Sequence, residues 1–257
     1  MQQKNRERLP IKFAAIDVDG TLTERRGSLQ FSLEAVVALR VLKCLGVRVS
    51  LVSGNSLPVV AGLSTYLGAD IAIGENGCLA LLETEELHIC RSRPPRQLIE
   101  ELLALGFREA WQNRFRVYDI AFYPPEKNFE IALSKAKTIV SEHGFKATWS
   151  GYALHVYPAE GGKEKGVNAV LEKLNLRWDD VLAIGDGDND TTMLAKARLS
   201  ITLSDASDLA KRASAKVVRK SGGAGVLEAV LELVDFRGCS EALTECLDVQ
   251  RLANSDF

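Results

Sequence analysis

Two carboxylates one residue apart, Asp17 and Asp19, close the apolar run Phe13-Ala14-Ala15-Ile16 and are followed by the turn residue Gly20. A strand buried on both faces and ending in this way would deliver a nucleophile and a general acid/base to the edge of a sheet. In a continuing strand the two side chains would point to opposite faces, but a backbone turning at Gly20 lets both address one site. Alone, the segment reads equally well as a solvated Asp-Gly turn. Three further fragments carry related chemistry. Ser53-Gly54-Asn55 offers a hydroxyl and open backbone N–H groups that could hold a phosphate. Gly161-Gly162-Lys163 puts a cation on a flexible backbone; it is not a P-loop, since the first glycine of G-x-x-x-x-G-K would fall at Tyr157. Gly185-Asp186-Gly187-Asp188-Asn189-Asp190 crowds three carboxylates together, and hard oxygen donors at that density ask for Mg²⁺ or Ca²⁺. The spacing imitates the start of an EF-hand, yet Thr191 replaces the required glycine and Ala197 the closing glutamate. Mg²⁺ shared with a substrate phosphate is therefore the expectation.

The elements needed to gather these fragments are visible in the apolar pattern. Ser32 is a candidate N-cap for a helix whose face would be Leu33, Val36, Val37, Val41 and Leu45, with Gly46 as its stop. Strand Val47–Val52, an amphipathic segment Val59–Leu67 and strand Ile71–Ile73 complete a β-α-β-α-β run. The same alternation resumes with helix Lys165–Leu174, strand Val181–Ile184, helix Thr192–Ala197, strand Leu199–Leu203, a helix near Leu209 and strand Lys216–Val218. Between the halves lie hairpin-like Leu79–Leu82 and Leu87–Cys90, helices near 97–105 and 128–143, and strands near Arg116–Phe122 and Tyr152–Tyr157. The expected fold class is α/β, a doubly wound parallel-sheet core (11–78 and 158–237) with an inserted α+β cap (79–157) and a C-terminal extension (238–257). Ser53 and the 185–190 cluster then follow strands and fall on the same carboxyl edge as Asp17.

Composition narrows the partners. The 257 residues hold 46% apolar residues, with Lys+Arg 32 against Asp+Glu 34, so a sizeable core is expected and no basic field recommends nucleic acid or an anionic membrane. A small molecule is the expected partner, with a homodimer as a further expectation. The charged start Met1–Arg8 precedes no apolar segment long enough for a signal peptide, and no later run reaches membrane-spanning length, which places the chain in the cytoplasm. Cys44, Cys78, Cys90, Cys239 and Cys246 are odd in number and form no C-x-x-C pair, so buried thiols rather than disulfides or a zinc site are expected. His88 and His143 give no Ser-His-Asp signal, a lone strand histidine such as His155 reads as a packing or hydrogen-bonding residue, and neither a G-x-S-x-G elbow nor a G-x-G-x-x-G turn after a strand is present.

Taken in order, Asp17-Val18-Asp19-Gly20-Thr21, Ser53, Lys163 and Gly185-Asp186-x-x-Asn189-Asp190 resemble the four motifs of the haloacid dehalogenase superfamily of phosphohydrolases. The insertion, with Gly74-Glu75-Asn76-Gly77 just before it, resembles the branch carrying a large α/β cap, which includes sugar phosphatases, sucrose-phosphate phosphatases and phosphomannomutases. Within it, Ser53-Gly54-Asn55, Asn113-Arg114, Ser150-Gly151-Tyr152 with His155, and Lys163 are most similar to the archaeal phosphoglycolate phosphatases. Lys163 rather than Lys165 is matched to the motif lysine because it keeps the family's offset from the strand containing His155. The resemblance implies that Asp17 is the nucleophile and Asp19 the acid/base, and that Mg²⁺ is held by Asp17, the Asp19 carbonyl, Asp186 and Asp190. It further implies that Ser53, Gly54, Asn55, Lys163 and Asn189 bind the phosphoryl end of a small ester such as 2-phosphoglycolate. A carboxylate on that substrate needs a cation, and Arg114 and Arg116, on one face if the segment is a strand, are candidates. Sugar-phosphate hydrolysis and a phosphomannomutase-like phosphotransfer remain the alternatives.

Overall fold

The computed structural model describes residues 11–235. The charged N-terminal segment, the 238–257 extension, Cys239 and Cys246 lie outside them. Along the chain, β1 (Phe13–Asp17), α1 (Leu33–Cys44), β2 (Arg48–Val52), α2 (Leu57–Leu67) and β3 (Ile71–Gly74) alternate as the sequence predicts. A hairpin of β4 (Leu79–Leu82) and β5 (Glu85–His88) follows. The next stretch contains α3 (Arg96–Ala104), β6 (Arg108–Glu109), β7 (Ile120–Tyr123), α4 (Phe129–Glu142), β8 (Phe145–Trp149) and β9 (Leu154–Pro158). Finally come α5 (Lys163–Lys173), β10 (Val181–Ile184), α6 (Thr191–Lys196), β11 (Leu199–Thr202), α7 (Asp208–Ala213), β12 (Lys216–Val217) and α8 (Gly222–Asp235).

The larger sheet has the order β12-β11-β10-β1-β2-β3-β4-β5, parallel from β12 to β3 and antiparallel beyond. Both its faces are covered, which is why its strands read as continuous apolar runs. Alternate residues of β1 enter different cores. Ala14 and Ile16 pack with α1 and α8 residues such as Leu39 and Val230, whereas Phe13 and Ala15 pack with Val167 and Val170 of α5 and Met193 of α6. The smaller sheet, β6-β7-β9-β8, is antiparallel and has a core of its own, with Leu98 and Leu102 of α3 and Ala136 and Val140 of α4 against Phe122, Leu154 and Val156. Since Leu154 and Val156 enter that core, His155 and Tyr157 project from the other face. Among the described residues no helix is long and apolar enough to cross a membrane.

Several expectations need correction. The hairpin at 79–88, assigned by the sequence to the insertion, extends the larger sheet, because β3 offers a pairing edge on which Ile73 meets Ala80 and Gly74 meets Leu79. The buried face of α1 is Ala35, Ala38, Leu39, Val41 and Leu42, while Leu33 is 81% exposed. Counting only bulky side chains overlooked the two alanines; α8, whose Val226, Ala229 and Val230 are buried, packs over this face and was not anticipated. The strand read from Arg116 starts only at Ile120: residues 116–119 are irregular backbone that follows a 3-10 turn at Trp111–Phe115. Cys78 and Cys90 form a disulfide with a Cα separation of 4.8 Å, and Cys44 is exposed. An odd cysteine count excludes a fully paired framework and says nothing against one bridge across a hairpin.

Candidate active site

The fragments converge on the carboxyl edge of the parallel sheet, around β1, where the strand order reverses between β10 and β2. Gly20 (φ +89) makes the turn that lets this happen: a Cβ there would lie 2.6 Å from Asp186 Oδ2. Asp17 and Lys163 are buried and pair directly, and the same ammonium donates to Asp190 Oδ1 at 2.6 Å. Thr21 Oγ1 lies 3.2 Å from Asp17 Oδ2 and donates to Asp186 Oδ1 at 2.8 Å, stitching the end of β1 to the end of β10. Asp190 Oδ2 accepts the backbone N–H groups of Asp186 (3.0 Å) and Gly187 (2.8 Å), which closes the 185–190 loop on itself. Arg26 Nε stands 3.6 Å from Asp186 Oδ2 at the solvent side.

Asp19 differs from Asp17. It is exposed, and its Oδ2 accepts from Asn55 Nδ2 at 2.9 Å and from Ser53 Oγ at 3.3 Å. Ser53 Oγ in turn accepts Asn55 N–H at 3.0 Å, so the loop after β2 folds back on its own hydroxyl. Gly54 allows close packing, since a Cβ there would meet Asn76 and His155 at 3.2–3.3 Å. Asn189 Nδ2 donates to Asn76 Oδ1 at 3.4 Å.

Electrostatics single out the same place. Asp17, Asp186 and Asp190 each offer an oxygen within 4.8 Å of the others. Burial, reinforced by the charges of Asp17 and Asp190, pushes the Asp186 carboxyl up to about 8; burial and Asp17 push Asp190 up to about 6. Lys163 is held firmly protonated, the pull of Asp17 and Asp190 overcoming the opposing effect of burial. Three carboxylates against one ammonium leave negative charge concentrated in a buried pocket of hard oxygen donors, an arrangement that fits a divalent cation. Asp188 is exposed and lies outside this group.

The two candidate arginines separate. Arg114 is exposed and lies over the rings of Trp111 and Phe115, 5.5 and 4.7 Å from their centroids. Arg116 is buried beside the loop after β2, donating to Gly54 O at 2.8 Å and to Asp119 Oδ2 at 2.9 Å. The shared face expected of a strand is absent because Arg114 lies inside a 3-10 turn, Trp111–Phe115, and Arg116 just past its end. Asp119 also accepts from Asn76 Nδ2 (3.1 Å) and bonds His155 Nδ1 (2.9 Å). Burial opposes its ionisation, but the neighbouring His155 and Arg116 hold its carboxyl below the usual range. Sequence reasoning missed Thr21, Glu75, Asn76 and Asp119 as contributors. The first three stand inside quoted motifs whose individual roles were not parsed, while nothing local distinguishes Asp119 from a surface aspartate.

A sequence profile of the haloacid dehalogenase-like hydrolases matches residues 14–119 and 109–230. The chain belongs to this family. A phosphoglycolate phosphatase of Aeropyrum pernix is 43% identical over 86% of the chain and 92% of its own length. One from Metallosphaera sedula is 37% identical over 85% of the chain and 96% of its own. A solved Thermoplasma acidophilum protein superposes with a TM-score of 0.78 at 29% identity, covering 87% of this chain and 98% of that one. The family's α/β core with helices on both faces is the architecture described above, and the chain is accordingly a hydrolase.

Proposed function

We propose that the protein is a Mg²⁺-dependent phosphatase that hydrolyses 2-phosphoglycolate to glycolate and phosphate through an aspartyl-phosphate, acting on this small ester in the cytoplasm. The observation that carries the reading is the contrast between neighbouring carboxylates. Asp17 is buried, ion-paired with Lys163 and fixed by Thr21, as a nucleophile aimed at one atom must be. Asp19 is exposed and, among the described residues, hydrogen-bonded by Ser53 and Asn55, placed to exchange a proton with a leaving group and then with water.

In the first step Asp17 attacks phosphorus, the ester P–O bond breaks, and Asp19 protonates the departing glycolate oxygen. In the second, Asp19 removes a proton from a water that attacks the aspartyl-phosphate, releasing inorganic phosphate and restoring Asp17. Lys163, Ser53, Asn55, Asn189 and the Gly54 backbone hold the phosphoryl oxygens, and Lys163 offsets the charge that develops on them. Asp17, the Asp19 carbonyl and Asp186, with Asp190 beside them, would hold Mg²⁺, which when bound neutralises phosphoryl charge and orients the ester. Arg116, next to Gly54, addresses the substrate carboxylate; Arg114, stacked on Trp111 and Phe115, stands in the turn just before it. The names of the two relatives support the choice of ester.

Phosphate release from 2-phosphoglycolate, ethyl phosphate and a panel of sugar phosphates, with Mg²⁺ and with chelator, tests this. A Mg²⁺-dependent preference for 2-phosphoglycolate is expected. Preference for sugar phosphates would move the substrate and keep the mechanism, and transfer to a sugar without free phosphate would replace hydrolysis by phosphotransfer.

A further inference from the structure

Glu75 has no part in the chemistry above, yet it is wholly buried and no ion pair to it occurs among the described residues. Its carboxylate instead accepts three successive backbone N–H groups from the insertion: Val117 (2.9 Å to Oε1 and 3.1 Å to Oε2), Tyr118 (2.7 Å) and Asp119 (3.0 Å). Burying an anion is unfavourable unless its lone pairs are answered, and here converging amides answer them. The turn that presents Glu75 is itself unusual. Glu75 and Asn76 both have left-handed backbones (φ +51 and +52), a conformation non-glycine residues keep only where surrounding contacts enforce it. Gly77 (φ +84) follows, and a Cβ there would lie 2.0 Å from Gly162 O, so this turn is also wedged against the residue preceding Lys163.

The clamped segment carries the insertion's contribution to the site. Arg116 precedes it and reaches Gly54 O; Asp119 ends it and gathers Arg116, His155 and Asn76. Arg116 Nε and Asp119 Oδ1 are buried and without hydrogen-bond partners, so the pair still has an unanswered donor and an unanswered acceptor.

We propose that Glu75 is a positioning residue for substrate selection: by fixing the amides of Val117, Tyr118 and Asp119 it sets Arg116 and Asp119 over the Ser53-Gly54-Asn55 loop, where the non-phosphoryl end of the ester is read. The proposal rests on the reading of Arg116 as the partner of the substrate carboxylate. It assigns Glu75 an effect on discrimination between esters rather than on the phosphoryl-transfer step.

Glu75→Gln keeps the side-chain shape but turns an amide donor toward backbone donors. Val117→Pro removes one of the clamped N–H groups at a position that is 46% exposed, and Arg116 already has the extended backbone (φ −101, ψ 138) required before proline. For each variant, the ratio of kcat/KM for 2-phosphoglycolate to that for ethyl phosphate should fall at least about tenfold, chiefly through KM for 2-phosphoglycolate. A lowered Tm with an unchanged ratio in both variants marks a merely structural strut and overturns the proposal. In the unaltered protein the amides of 117–119 should exchange with deuterium at least about a hundredfold more slowly than in an unstructured peptide, and exchange at peptide rates also overturns it. Should the unaltered protein show no preference for 2-phosphoglycolate over ethyl phosphate, the substrate reading fails. The clamp is then upheld by slow exchange that Glu75→Gln abolishes, and rejected if that variant leaves exchange unchanged.

Discussion

Lys163 Nζ donates to Asp190 Oδ1 at 2.6 Å with both side chains about 1% exposed. A cation so enclosed, which also pairs with Asp17, is a fixed charge rather than a mobile tether. It ties the start of α5 to the end of β1 and to the loop after β10, so the electrostatics of the site centre on one side chain.

Replacing Lys163 by methionine removes that charge and leaves Asp17 and Asp190 buried without it. Metal-free stability should fall by about 3–5 kcal/mol, the usual cost of stripping one partner from a buried pair. Turnover should drop on the order of 10²- to 10³-fold through loss of phosphoryl charge stabilisation. Chemical denaturation and steady-state kinetics check the two effects separately, and a variant as stable as the parent would contradict the buried pairing.

Asp17→Asn keeps the shape of the side chain and removes its nucleophilicity. Turnover should fall by roughly 10⁴-fold or more with native circular dichroism. Appreciable residual activity from a folded variant would remove Asp17 from the nucleophile's role. The substitution also deletes a charge that helps raise Asp186, so the Asp186 carboxyl should titrate lower in the variant, visible by carbon-detected NMR.

Without metal, the carboxyls of Asp186 (about 8) and Asp190 (about 6) sit above their ordinary value of 3.8. Between those limits the folded chain binds more protons than the unfolded one, so their contribution to stability is full below about pH 4 and lost as pH rises toward 8. In chelator, Tm should decline from pH 5 to pH 8.5. Added Mg²⁺ should raise it by an amount that grows with pH, because cation and protons compete for the same oxygens. Differential scanning fluorimetry over this grid measures both slopes; a Mg²⁺ increment independent of pH would argue against binding at these aspartates.

Much of this was legible in the chain. The β1, β2 and β10 runs are apolar because both sheet faces are covered, and each ends in a motif, so their convergence follows from the rule that open α/β sheets bind ligands at their carboxyl edge. What escaped were relationships with no local signature. Asp119 acquires meaning only where Arg116, Asn76 and His155 meet it, from three separate parts of the chain. Arg116–Phe122 reads as one strand, yet only the stretch from Ile120 forms it; Asn113, inside the 3-10 turn just before, bonds both Ala121 N–H and Ala121 O, a tertiary contact that overrides propensity. The face of α1 was misjudged because alanine is a weak marker until α8, packed against it, shows which side is covered.

The Cys78–Cys90 bridge gives the last prediction. The cysteines are 12 residues apart, and the hairpin of β4 and β5 brings them together, with Cys90 N–H donating to Cys78 O at 3.3 Å. Closing a loop of this length restricts the unfolded chain enough to stabilise the fold by about 3 kcal/mol. Oxidised protein should therefore lose stability when reductant is added, by an increment that vanishes in a Cys78→Ala, Cys90→Ala double variant. Denaturation with and without reductant, alongside thiol counting under denaturing conditions, measures this. If the two curves coincide and every thiol reacts without reduction, the bridge does not form in the purified protein, and the hairpin is held by the β3–β4 pairing and its apolar contacts alone.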